Sequence, residues 1–121
     1  MTLFGLLMFN IQFMNASVEK FEIVECTTDS VVWQGQHKGK DTTVTKKPST
    51  GIDMEGFHNI VVTIPGEDTL VGLYGYNKIM GAAFPNRKSD KEYSGDTRTT
   101  ALFKRLVKKY DIDLKESYKQ D

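Results

Sequence analysis

The residues best placed to do chemistry lie near the C-terminus. Arg98, Lys104, Arg105, Lys108 and Lys109 are the only charged side chains between Thr97 and Tyr110 (TRTTALFKRLVKKY), with no acid among them. Read at helical period, they form one outer face opposite a stripe of Leu102, Phe103, Leu106, Val107 and Tyr110. The pairs Lys104/Lys108 and Arg105/Lys109 place like charges four residues apart, at a cost of about 0.3 kcal/mol each. A helix selected for stability alone alternates its signs, so this face suits an anionic partner, either a phosphate backbone or an acidic protein surface. The competing explanation is solvation together with the preference of cations for a helix C-terminus.

A second basic set, Lys38, Lys40, Lys46 and Lys47, falls on a hairpin with Trp33 and His37 nearby. Cations beside an aromatic on a strand can combine phosphate attraction with base stacking. The plainer explanation is that lysines guard an edge strand and Trp33 belongs to the core.

Gly72, Tyr74, Gly75, Tyr76 and Lys78 make up a third candidate, a glycine–tyrosine turn that could cradle a small anion or nucleotide. The spacing matches neither a P-loop nor the GxGxxG fingerprint, and glycines at bulges explain it equally well. Asp53 and Glu55, after the hydroxyls of Ser49 and Thr50, are the nearest thing to paired carboxylates, but they lie in a polar loop. Cys26, His37 and His58 come one per element, without metal-ligand spacing. The sequence therefore predicts no catalytic residue, metal or cofactor, and a non-enzymatic protein.

The elements that must position these residues are mostly strands. Leu7, Phe9, Ile11 and Phe13 alternate with Met8, Asn10, Gln12 and Met14, so the apolar start reads as a strand rather than a signal peptide or a membrane span. Met1, Met8 and Met14 are all conceivable starts. An apolar edge strand here would favour a homodimer by strand pairing. Val18–Thr27 predicts a strand with Phe21 and Ile23 on one face and Val24 and Cys26 on the other. Val31–Gln36 and Thr42–Lys46 predict a hairpin around His37–Lys40, closed off at Pro48. Asn59–Ile64 and Thr69–Tyr74 flank the turn Pro65–Asp68, and the two apolar faces of Asn59–Ile64 suggest a central strand. Gly75–Phe84 fits either a short helix after Asn77 or a bent strand. Pro85–Asp96 is a polar loop, and Asp96 or Thr97 can cap the final helix. Ile112, Leu114 and Tyr118 are apolar enough to dock the tail.

The expected fold is α+β: a small, mostly antiparallel sheet of five or six strands, curved or barrel-like, with a C-terminal amphipathic helix. One domain spans 1–121, with a β-rich part over 1–84, a loop over 85–96, and helix and tail over 97–121. Sixteen basic and sixteen acidic residues cancel overall. Residues 1–96 nevertheless carry a net −3, and residues 97–121 a net +3. A single cysteine suits the cytoplasm.

These features point first to an adaptor or inhibitor that binds a protein partner, of the size of phage or mobile-element accessory factors. A nucleic-acid-binding module is the second reading, and a small-anion or nucleotide binder the third.

Overall fold

The computed structural model describes residues 20–50, 55–88 and 97–120. The strand expected over the apolar N-terminus, the dimer contact expected from it, and most of residues 85–96 lie outside the described residues. Six strands follow one another as an open, curved antiparallel meander in which each pairs with its neighbour in sequence. They are β1 (Glu22–Cys26), β2 (Val31–His37), β3 (Lys40–Pro48), β4 (Phe57–Thr63), β5 (Leu70–Gly75) and β6 (Lys78–Ala83). Among the described residues one helix, α1 (Arg98–Lys109), packs on β5 and β6. The α+β expectation holds, with the sheet curved but not closed.

The connections follow from turn chemistry. Lys38 and Gly39 have φ of 53° and 76°, so β2 and β3 join through a two-residue turn with both central residues left-handed. Tyr76 and Asn77, at 53° and 62°, do the same for β5 and β6. This settles the ambiguous Gly75–Phe84 segment as a hairpin rather than a helix. Between β4 and β5, Pro65 precedes Gly66 at φ 80°, and the Glu67 amide donates to the Ile64 carbonyl at 3.0 Å.

One face of the sheet carries the core. Val31 and Trp33 of β2, Val44 of β3, Ile60 and Val62 of β4, and Leu70 of β5 are buried there together. Phe103 of α1, fully buried, lies against Gly72, where any added Cβ would overlap its ring. Phe21 over Gly35 and Phe57 over Gly75 repeat the device. These strand glycines make room for aromatic rings.

Helix α1 begins as its sequence dictates. Thr97 is the N-cap and accepts from the Thr100 amide at 3.0 Å. Thr100, itself buried, accepts from the Ala82 amide at 3.0 Å and so ties the first turn to β6. The helix ends in a Schellman motif: Asp111 at φ 52° donates to the Lys108 carbonyl, and Ile112 to that of Val107. The tail then crosses back over the sheet, burying Ile112 and Leu114, and the Lys119 amide reaches the Thr27 carbonyl at 2.8 Å.

Pro48 ends β3 as expected, as its last residue, opposite His58. Two expectations need correction. A register shift between Ile23 and Glu25 places Ile23 opposite Trp33 and Cys26 opposite Val31, so these two share a face of β1 instead of lying on opposite ones, and every residue of the strand is exposed. Leu102 belongs to the rim of the apolar stripe and remains 39% exposed.

Candidate interaction groove

Helix cations and a hairpin lysine meet in a groove of about 590 Å³ between α1 and the β2–β3 turn. Arg105, Lys108 and Lys109 from the helix and Lys38 from the turn provide its cations. Leu102 and Leu106 provide an apolar floor, and His37 completes the lining. The helix and turn are pinned together where His37 Nδ1 meets the Tyr110 hydroxyl at 2.5 Å, with the rings edge-on at 5.4 Å. Tyr110 also packs on Phe21 at 4.7 Å, so this end of the helix is fixed by core contacts.

The cations are exposed, and two ion pairs occur elsewhere among the described residues, Lys40–Glu67 and Arg87–Asp68. Lys109 lies 5.2 Å from the Tyr110 ring centroid, a modest cation–π contact. Arg98 and Lys104 are exposed on the same helix, outside the groove lining. The helix C-terminus adds negative dipole character beside Lys108 and Lys109, which lowers the cost of gathering these charges.

The hairpin set divides. Lys38 joins the helix cations in the groove. Lys40 pairs with Glu67 at 3.3 Å in the open, a contact of small energetic weight. Lys47 is exposed and follows Lys46 along β3, so it points to the opposite face of the sheet. Trp33 is only 3% exposed within the core and offers no stacking surface. Lys46 is buried beneath the tail.

Lys46 belongs to a different arrangement. Its ammonium donates to the carbonyls of Leu114 at 2.9 Å and Glu116 at 2.8 Å. It also lies over the rings of Tyr74 and Tyr118 at 5.6 and 5.3 Å. Beside it, His58 Nδ1 meets the Tyr118 hydroxyl at 2.6 Å. Burial lowers the Lys46 pKa from its ordinary value, against the opposing pull of Asp113 and Glu116. Burial, and then the Lys46 charge, also lowers that of His58. Burial and Asp29 push Tyr118 up to about 12, and burial and Asp113 raise Tyr74. The cluster fastens the tail to the sheet. In sequence Lys46 resembles its neighbours; strand parity separates it from Lys47, and the path of the tail separates it from Lys40.

In the glycine–tyrosine segment, Tyr74 and Lys78 line a separate depression of about 240 Å³. Gly72 and Gly75 lie under the rings of Phe103 and Phe57, and Tyr74 is buried. Tyr76 occupies the turn, 75% exposed and edge-on to Phe57 at 5.2 Å. Lys78 is exposed just beyond it. No three His, Cys, Asp or Glu residues cluster to hold a metal ion among the described residues. Among those residues no helix is long and apolar enough to cross a membrane.

Sequence reasoning missed the apolar part of the groove. Leu102 and Leu106 read as core stripe, and the signal that could have separated them is the position of Leu102 at the edge of that stripe, beside Arg105 and Lys109. Comparison with known proteins gives no match to any family model, curated protein or solved structure.

Proposed function

We propose that this chain is a small non-enzymatic interaction protein, an adaptor or inhibitor, whose groove takes an acidic protein segment bearing an apolar side chain. The observation that carries the proposal is Leu102, 39% exposed in a concave surface otherwise edged by Arg105, Lys108, Lys109 and Lys38. A phosphate backbone is recognised by cations and hydrogen-bond donors and gains little from an apolar floor. A peptide anchored by one apolar residue and flanked by carboxylates uses both.

Nucleic-acid binding is the second reading, favoured by Arg98 and Lys104, which extend the cationic surface along the helix. Trp33, its expected stacking residue, is in the core, and three of the four hairpin lysines lie outside the groove. The small-anion reading has the weakest support, because its glycines accommodate aromatic rings.

The test is fluorescence anisotropy with two probes across a salt series: a short labelled peptide alternating Glu and Leu, and a labelled DNA duplex. A variant with Lys104, Arg105, Lys108 and Lys109 changed to Ala serves as control. Peptide binding that is lost in the variant supports the protein-segment reading. Duplex binding with a log–log salt slope of about −3.6 would put the nucleic-acid reading first.

A further inference from the structure

The chain carries, on its own surface, a segment with the chemistry the groove is suited to. Strand β1 reads Glu-Ile-Val-Glu-Cys and is exposed along its whole length, with Ile23 at 44% and Val24 at 57%. Glu22 and Glu25 pair in register with Gln34 and Val32, so they face away from the core side of the sheet. Neither has an ion-pair partner among the described residues. Glu22, Val24 and Asp41 share a shallow depression of about 350 Å³, in which Lys20 is the one cation. Carboxylates around an exposed valine thus complement cations around an exposed leucine.

Within one molecule the two surfaces face opposite sides of the sheet. The groove opens on the core side, between α1 and the β2–β3 turn, whereas Glu22 and Glu25 point to the other side. We infer that the groove of one copy takes the β1 face of a second copy, joining copies head to tail. The net −3 of residues 1–96 and +3 of residues 97–121 give the same polarity at the level of the chain. Such a heterologous contact leaves one groove and one β1 face open at the ends, so it propagates rather than stopping at a dimer. It is built from exposed charges, so salt weakens it, on the order of tenfold between low and high ionic strength.

The inference rests on the groove reading, and analytical ultracentrifugation with two neutralised variants tests it. One variant carries Glu22→Gln and Glu25→Gln, the other Arg105→Gln, Lys108→Gln and Lys109→Gln. All five positions are exposed, and circular dichroism checks that both variants fold. The native chain is expected to associate progressively at low salt and to dissociate at high salt. Each variant alone should remain monomeric. Their mixture should form a species of twice the monomer mass and nothing larger, since only one intact groove meets one intact β1 face. A native chain that stays monomeric at every concentration overturns the inference. So does association that survives in either variant, as edge-to-edge pairing of β1 would produce. If the Glu/Leu peptide binds while the native chain remains monomeric, only the self-association is lost; if the peptide does not bind, the groove reading falls with it.

Discussion

Replacing Lys46 with Met removes the ammonium beneath the tail while keeping most of the stem that fills the site. Two hydrogen bonds from a charged donor, to Leu114 and Glu116, are lost. Each is worth about 1.5–3 kcal/mol, and the substitution also relieves the desolvation of a buried charge. Exchanging a whole buried ion pair for apolar groups is often neutral, because both partners go at once. Here the partners are backbone carbonyls that no side-chain substitution can remove, and Leu114 itself is buried. The balance predicts a loss of about 2 kcal/mol. For a domain of 121 residues this lowers the thermal midpoint by roughly 8 °C. Calorimetry reads the midpoint, and amide exchange at Lys119, which bonds to Thr27, reads release of the tail. An unchanged or raised midpoint with Lys119 still protected would refute the reasoning.

Three further outcomes follow from the same contacts. Gly72→Ala should destabilise by about 2 kcal/mol, because the new Cβ meets the Phe103 ring, and Phe103→Leu in the same chain should recover part of the loss in a denaturant-unfolding cycle. His58 has a folded-state pKa below its ordinary 6.5, so the unfolded chain takes up a proton first as the pH falls. Stability is therefore complete above 6.5 and declines as acidification proceeds through the folded-state value; urea titrations should show the decline, and His58→Gln should remove its share of it. Asp111→Gly should stabilise by about 1 kcal/mol, since glycine takes φ 52° without strain and the carboxylate leaves the negative end of the helix dipole. A lowered midpoint in that variant would mean that Asp111 makes a favourable contact elsewhere.

The architecture was legible because its signals are local. Thr97 and the stripe through Phe103, Leu106 and Tyr110 mark the helix, Pro65-Gly66 and Lys38-Gly39 mark turns, and alternation marks β2 to β5. What stayed hidden depends on register and on distant chain. Lys40, Lys46 and Lys47 look alike in a row, yet one pairs with Glu67, one clamps the tail and one faces away, according to strand parity and the path of residues 111–119. The glycines of β5 suggested a ligand, and only the approach of Phe103 and Phe57 explains them. His37 and His58 come from separate elements, and nothing in their spacing shows that each meets a tyrosine of the C-terminal segment. The groove itself was half visible: its cations stood out in the helix, whereas its apolar floor looked like ordinary core.

That floor gives the most direct measurement of the central claim. Leu102→Ser leaves every cation in place and removes the apolar contact. Burying the exposed 39% of Leu102 against a partner side chain is worth about 1 kcal/mol, or roughly fivefold in affinity. The account predicts that loss for the Glu/Leu peptide by fluorescence anisotropy, with Leu102→Met retaining native affinity and duplex DNA indifferent to either change. Peptide affinity unchanged in Leu102→Ser would contradict it and leave the groove a purely electrostatic surface.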